Sequence, residues 1–166
     1  MEPNTPIFVG TEEPATLSEI KAIEEEYGFT LPDDYKAHLL LYNGGWPKER
    51  DTFMQPAEAD GNSIPRTISD FYSIEHGDET FEDALEDLAD QLHPHLVPFG
   101  SETGGDQFLL SVGPEDYGSV YYISHEFYTP PKRKEMKQPR HYGKGVSFLA
   151  PSFTAFLNGL VASTLA

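Results

Sequence analysis

The spacing of apolar residues predicts two helices close to the start of the chain. The segment 16–28 opens with a T-x-x-E capping box, continues with apolar residues three or four positions apart, and ends at Gly28, which tolerates a left-handed backbone. The segment 31–45 opens with Leu-Pro-Asp-Asp-Tyr, where Pro loses no hydrogen bond and the acids favour the positive end of the helix dipole. The run Asn43-Gly44-Gly45 ends this second helix.

The middle of the chain changes character. Over residues 46–74 the apolar positions are separated by Pro, Gly and Asn, which predicts short strands and loops. Over residues 80–92 the apolar positions fall on one side of a helical projection and most acids fall on the other. We therefore predict a helix over 80–92 with a buried apolar stripe and an acidic stripe that faces solvent.

The second half has the pattern of a sheet. Short apolar runs at 96–100, 108–112, 119–124 and 146–149 predict four strands that are separated by Gly-rich and Pro-rich turns. A closing helix begins after Pro151-Ser152, with apolar residues at helical spacing. Helices at both ends with strands between them predict the α+β class, with a mainly antiparallel twisted sheet, two N-terminal helices, a middle acidic helix and a C-terminal helix.

Length and composition limit the organisation. The 166 residues suit one domain, which we place at 16–166, after a loose lead-in at 1–15 that holds three Pro and little pattern. The chain has no Cys, which excludes disulfides, zinc–thiolate sites and a cysteine nucleophile. No apolar run approaches the ~20 residues of a membrane-spanning helix, and the start lacks the pattern of a signal peptide. We expect a cytoplasmic protein without a membrane partner.

The charge is large and unevenly distributed. The chain holds 28 acids and 11 Lys or Arg, a formal net charge of −17, and this negative field opposes direct binding of nucleic acid. The stretch 75–90 contains eight acids and no Lys or Arg. Such a face either keeps the protein in solution or docks a basic partner. The acids of the stretch are Glu75, Asp78, Glu79, Glu82, Asp83, Glu86, Asp87 and Asp90.

Trp46 is the second candidate for a partner-binding position. It is the only Trp of the chain and directly follows Asn43-Gly44-Gly45. That run either ends a helix or forms part of a recognition surface, and the structural role is the simpler interpretation. We predict that Trp46 and the acids of 75–90 form the partner-binding surface.

The residue types that support catalysis do not form a recognisable site in the sequence. His93-Pro94-His95 has metal-like spacing but lacks a third ligand, and His125-Glu126 lacks a nucleophile. Gly104-Gly105-Asp106 has the pattern of a turn and is not followed by a phosphate-loop Lys. We expect no catalytic residue, no cofactor and no metal. Six bases in the loop 132–144 are either a nucleic-acid patch or, as the net charge favours, a solvated loop: Lys132, Arg133, Lys134, Lys137, Arg140 and Lys144.

Four stretches, in order, resemble the SUKH superfamily, in the branch related to the yeast cell-wall-synthesis regulator. They are 20–45 with L-P-D-D-Y and Y-N-G-G, 96–110 with L-V-P-F-G and G-G-D, 120–126 with V-Y-Y-I-S-H-E, and the helix 152–157. The resemblance covers about 16–162. It implies a helix–helix entry, a twisted sheet and a closing helix, and a domain that binds another protein without catalysis.

Most bacterial proteins of this superfamily resemble immunity proteins, which bind and neutralise a cognate toxin that is often a nuclease. The resemblance therefore implies an immunity protein of a polymorphic or contact-dependent toxin system. The acidic charge of the chain favours a basic toxin domain as its partner. The alternative is a regulatory protein-interaction module in cell-wall or assembly control. A small hydrolase is the third and least favoured hypothesis.

Overall fold

The computed structural model describes residues 6–56 and 63–163. Within them, four α-helices, ten strands and a 3-10 turn at Glu135–Lys137 follow one another along the chain. In chain order the elements are β1 (Phe8–Val9), α1 (Leu17–Tyr27), α2 (Asp33–Leu41), β2 (Trp46–Pro47), β3 (Arg50–Gln55), β4 (Ile64–Thr67), β5 (Asp70–Phe71), α3 (Phe81–Asp87), β6 (Leu96–Ser101), β7 (Gln107–Ser111), β8 (Val120–Ile123), β9 (Val146–Ala150), α4 (Phe153–Asn158) and β10 (Val161–Ala162).

The strands form three antiparallel sheets. The central sheet has five strands in the order β5-β6-β7-β8-β9, and the smaller sheets are β10-β3-β4 and β1-β2. Consecutive strands of the central sheet pair as a meander, with Phe108 opposite Tyr122 and Leu109 opposite Tyr121. The predicted α+β class with a mainly antiparallel sheet is therefore confirmed.

Both faces of the central sheet are covered. One face carries Phe99, Phe108 and Tyr122 into the main core, where the helices contribute rings such as Tyr35 and Phe153. The opposite face carries a smaller cluster, which segments before β6 and after β8 cover. Neighbouring strand residues enter different clusters because side chains alternate across a strand. The second cluster comprises Leu92, Leu96, Leu109, Tyr121, Ile123 and Tyr142.

The ends of α1 follow its sequence signals. The Thr16 side chain accepts a hydrogen bond from the Glu19 N–H at 3.1 Å, and the Glu19 side chain accepts one from the Thr16 N–H at 3.0 Å. Gly28 closes the helix with φ +76°. Leu17 differs from the predicted pattern because its side chain is 66% exposed, so the buried stripe of α1 begins at Ile20.

The segment before α1 is packed, in contrast to the loose lead-in that we expected over 1–15. Phe8 lies in the core at 5% exposure, and β1 pairs with β2. The Glu12 N–H donates to the Asn43 carbonyl at 2.8 Å. Residues 6–15 are held by contacts with α2 and with the residues that follow it, and local pattern does not reveal these contacts. Residues 1–5 lie outside the described residues.

Two predicted helices are shorter in the structure. The helix expected over 80–92 keeps its Thr80 cap, whose hydroxyl accepts the Asp83 N–H at 3.1 Å, but α3 ends at Asp87. Turns then follow, in which the Leu92 N–H still donates to the Leu88 carbonyl at 3.0 Å and Leu92 enters the second cluster. The closing helix ends at Asn158, and the residues after it pair with β3 as β10.

Candidate partner-binding surface

The Asn43 side chain holds the loop that leads into α3. The fully buried Asn43 amide donates to the Ile74 carbonyl at 2.8 Å and accepts the Ile74 N–H at 2.7 Å. The Phe81 N–H donates to the Ser73 carbonyl at 2.7 Å, which closes the loop across its base. The helix α2 ends at Leu41 with Tyr42 as its C-cap, and the positive φ values of the run belong to Gly44 and Gly45. Asn43 instead holds the loop, so the acids that follow Ile74 project from a fixed base.

An acidic groove of about 520 Å³ lies between this loop with α3 on one side and the β6–β7 turn on the other. Among the residues that the structure describes, those that line this groove include no Lys, Arg or His. Tyr72 and Gln107 also line it, and the Tyr72 hydroxyl donates to Gln107 Oε1 at 2.7 Å. The groove therefore presents five carboxylates, and none of its described lining residues supplies a cation. These carboxylates belong to Asp78, Glu79, Asp83, Asp87 and Glu102.

Glu102 belongs to the acidic groove although the stretch 75–90 does not contain it. It follows β6, and its carboxylate accepts the Gly104 N–H at 2.6 Å, which holds it in the turn. Asp106 stabilises the same turn, since it accepts the Tyr122 hydroxyl and the His125 N–H. The pairing of β5 with β6 and the packing of α3 against β6 bring Glu102 to this groove, and composition along the chain carries no signal for that approach.

Trp46 lies in a cleft of about 170 Å³ that adjoins the acidic groove. Asp78 and Glu79 line both depressions, and Asp70 adds a carboxylate to the cleft. The indole lies over Gly10, where a Cβ would fall 2.2 Å from a ring carbon, and 44% of the Trp46 surface remains exposed. Trp46 and the groove acids thus form one surface, which we call the acidic face.

Glu82 is separated from the acidic face, which corrects the prediction of a uniform outward stripe. Its Oε2 accepts the Glu75 N–H at 3.0 Å, and its Oε1 is buried without a hydrogen-bond partner among the described residues. Burial first, and then the charges of Glu75 and Asp83, raise the pKa of Glu82. The Glu82 carboxylate therefore holds the loop before α3, where Glu75 has a positive φ of 70°.

The remaining acids of the stretch lie away from the groove. Glu86 is exposed on the other side of α3, where its Oε2 accepts the Tyr27 hydroxyl at 3.3 Å. Asp90 is exposed in the turns after α3. Glu75 lines neither the groove nor the Trp46 cleft. Of the eight acids predicted to act together, the structure brings four into the acidic groove.

The histidines considered as metal ligands or catalytic groups form hydrogen bonds within the protein. His93 is buried, its Nε2 bonds the Gln138 carbonyl at 2.7 Å, and its Nδ1 accepts the His95 N–H at 3.0 Å. His125 Nδ1 contacts Asp106 Oδ1 at 2.8 Å, and this carboxylate raises the pKa of His125. Within residues 6–56 and 63–163, no three or more His, Asp or Glu side chains are grouped to hold a metal ion.

The basic loop is fastened to the second face of the central sheet. Tyr142 is buried there and donates to Asp116 Oδ2 at 2.8 Å, while Ser111 Oγ donates to Asp116 Oδ1 at 2.6 Å. These hydroxyl hydrogen bonds lower the pKa of Asp116 against the opposing effect of its burial. The loop 132–144 therefore lies against the second cluster, and the residues that line the acidic groove do not include it.

Comparisons with known proteins agree with the order of the sequence signatures. A model of the SMI1 / KNR4 family (SUKH-1) matches residues 14–159. The chain is 24% identical over 129 residues to the SPbeta prophage-derived uncharacterized protein YokK of Bacillus subtilis (strain 168), a match that covers 70% of this chain and 66% of that relative, just under two thirds. Across the described residues, no helix has the length and apolarity needed to span a membrane. Because the family match covers most of the sequence, the chain belongs to the SMI1 / KNR4 family (SUKH-1).

Proposed function

We propose that the protein is an immunity protein, which binds a basic toxin domain through the acidic face and neutralises it without catalysis. Membership of the SMI1 / KNR4 family supports this role, because the family includes toxin-immunity proteins. The observation that carries the proposal is the shared wall of Asp78 and Glu79, which joins the acidic groove to the Trp46 cleft.

Charge gives this surface a physical reason to suit a toxin that acts on nucleic acid. Such a toxin needs a positive cleft for phosphate, and the same cleft attracts a groove that holds five carboxylates and no cation. Complementary charge speeds encounter and disfavours wrong partners more than it raises affinity. The acidic face would therefore occupy the position of the substrate phosphates and exclude the nucleic acid.

Trp46 supplies a different contribution from that of the carboxylates. A half-exposed indole next to carboxylates buries a large apolar area on binding, and Trp is among the residues that most often dominate interface energy. Cationic side chains of the partner would contact the indole face and the neighbouring acids together. Truncation of Trp46 is therefore expected to speed dissociation, whereas changes in the groove acids slow association.

Association with the product of the adjacent gene tests the function itself. The two proteins are co-expressed, purified through a tag on this chain, and assayed for toxicity with and without it. Stoichiometric co-purification with loss of toxicity supports the proposal. An adjacent product that is toxic and stays both unbound and active overturns it, and a growth phenotype without any toxin favours the regulatory alternative.

Charge reversal tests the acidic face. Asp83 and Asp87 are exposed groove residues, so Asp83→Lys/Asp87→Lys is compared with Glu25→Lys/Glu115→Lys, which makes the same charge change at exposed positions outside the groove. At low salt we expect the groove variant to associate about tenfold more slowly and the control to change about twofold at most. The difference shrinks near 0.5 M salt, where charges are screened within a few ångströms. Equal slowing in both variants would place the docking site elsewhere.

A further inference from the structure

A second, apolar groove lies on the opposite side of α3 from the acidic groove. It has a volume of about 220 Å³ and runs between the end of α1, α3 with its following turn, and the start of β6. Leu88 lines both grooves, so α3 forms a ridge between them. The lining residues that the argument uses are Tyr27, Phe29, Leu85, Leu88, Ala89 and Pro94.

The apolar groove leaves part of the predicted helix stripe uncovered. Leu85 and Leu88 are only half-buried, although their spacing in the sequence is that of a core-facing stripe. Tyr27 and Phe29 are likewise half-buried and stack with ring centroids 6.2 Å apart. The two rings and two leucines therefore present a concave apolar surface to solvent, and covering such a surface is favourable in proportion to its area.

The rim of the apolar groove is negative. Glu86 lies on it and accepts the Tyr27 hydroxyl at 3.3 Å, and the charges of Glu26, Glu86 and Glu82 help burial to raise the pKa of Tyr27 to about 12. The lining residues include no Lys or Arg. A second copy of this chain is a poor occupant because each copy carries a net charge of −17. The charge favours a basic segment that carries an apolar side chain.

We propose that the apolar groove receives an aliphatic or aromatic side chain from a basic segment of the protein partner, which grips α3 from both sides. This inference rests on the proposed function and adds an anchor to it: cations of the partner enter the acidic groove, and one apolar side chain between them enters the groove of Tyr27 and Leu88. A few side chains that are buried in desolvated pockets of an interface carry most of the binding energy, and surrounding contacts exclude water from them.

Two synthetic peptides test the anchor without the toxin. The probes are acetyl-Lys-Lys-Trp-Lys-Lys-amide and the same peptide with Ser in place of Trp, titrated into the 15N-labelled full chain at low salt. We expect the Trp peptide to bind at least about fivefold more tightly and to shift the amide signals of Leu85, Leu88 and Ala89. Equal affinities overturn the inference, as do shifts confined to the acidic face. Self-association that shifts the same signals without peptide also overturns it.

A groove-filling variant separates this inference from the proposed function. Ala89 is exposed and lines the groove, so Ala89→Trp fills it without changing charge, and Ala22→Trp is the matched control at an exposed position of α1 outside the lining. After thermal unfolding shows both to be folded, we expect Ala89→Trp to abolish the preference for the Trp peptide and Ala22→Trp to keep it. If the toxin binds and Ala89→Trp weakens neither peptide nor toxin, the anchor is wrong while the immunity role stands. If the toxin does not bind, the peptide preference still decides the anchor.

Discussion

Asp34 and Thr154 are 120 residues apart in the chain and share two hydrogen bonds. Asp34 Oδ2 accepts both the backbone N–H and the hydroxyl of Thr154, each at 2.9 Å. Asp34 lies in the first turn of α2, and Thr154 is the second residue of α4. The carboxylate therefore satisfies a free amide at the start of a second helix, and it joins the helical entry of the domain to its closing helix.

Removal of this link is expected to destabilise the protein. Asp34→Ala should lower the free energy of unfolding by about 1 to 2 kcal/mol, since it deletes the two hydrogen bonds to Thr154 at a half-buried position, together with the one that Asp34 Oδ1 accepts from the Tyr35 N–H. Asp33→Ala is the control, because the exposed Asp33 carboxylate lies in the same first turn of α2 and forms a 3.7 Å ion pair with Lys36. Urea unfolding measures both. Equal losses in the two variants would mean that helix dipoles, and not the bond to Thr154, set the effect.

Local signals explain why much of the fold could be predicted. The capping box at Thr16, the left-handed Gly28 and the Pro32 start of α2 act through neighbouring residues, so their effect is visible in the sequence. The strands β6 to β9 could be predicted because continuous apolar runs between turns suit a sheet that is buried on both faces. The ordered set of these signals also identified the family.

Contacts between distant segments explain the rest. Phe8 is buried because β2 pairs with β1, and Glu102 joins the acidic groove because β5 pairs with β6 and α3 packs against β6. The helix α3 ends at Asp87 with Leu88 as its C-cap, although the sequence has no Gly or Pro at this position to predict that end. Glu82 occupies an outward position on a helical projection, yet the loop before α3 folds over it and donates the Glu75 N–H. The periodicity of apolar residues predicts which face of a helix is buried, but it does not predict which other segments pack against that helix.

Leu39 is expected to be a core residue of the entry helices. Its side chain is 1% exposed in the main cluster, so Leu39→Ala should lower the free energy of unfolding by about 2 to 5 kcal/mol through lost burial and a cavity. Leu41→Ala makes the same chemical change two residues later on the same helix, where the side chain is 65% exposed. Thermal or urea unfolding should show a much smaller loss for Leu41→Ala. Comparable losses would contradict the packing of α2.

His38 is expected to make the protein sensitive to acid. Its ring lies among Phe8, Phe71 and Phe153 with centroids 4.7 to 5.6 Å away, and its Nε2 is buried without a hydrogen-bond partner among the described residues. Burial lowers the pKa of His38 to about 3. Because the unfolded chain binds this proton near pH 6.5, the free energy of unfolding falls as the pH decreases from 6.5 towards 3.

A His38→Phe variant measures that contribution. Phe keeps an aromatic ring at this position but has no group that binds a proton. Between pH 7 and pH 4 the free energy of unfolding of the wild-type protein should therefore fall by about 3 kcal/mol more than that of the variant. Urea unfolding at several pH values gives this difference, and comparison across pH cancels any constant cost of packing Phe. Parallel pH curves for the two proteins would show that His38 keeps an ordinary pKa.

Glu82 is expected to lower the free energy of unfolding as the pH rises, which is the opposite of the effect of His38. Burial and neighbouring carboxylates raise its pKa, so the folded protein favours the neutral acid, and the stability that this provides is lost as the pH rises from the ordinary pKa through the raised one. Glu82→Gln stays neutral throughout and its Oε1 can still accept the Glu75 N–H. The stability of the variant relative to wild type should therefore grow from pH 4 to pH 7, as urea unfolding at each pH would show.

Glu25→Gln, on the exposed face of α1, controls for the loss of one negative charge. If the stability of Glu82→Gln relative to wild type instead stays constant or declines as the pH rises, that result would mean that the Glu82 carboxylate is exposed, as the helical projection predicts.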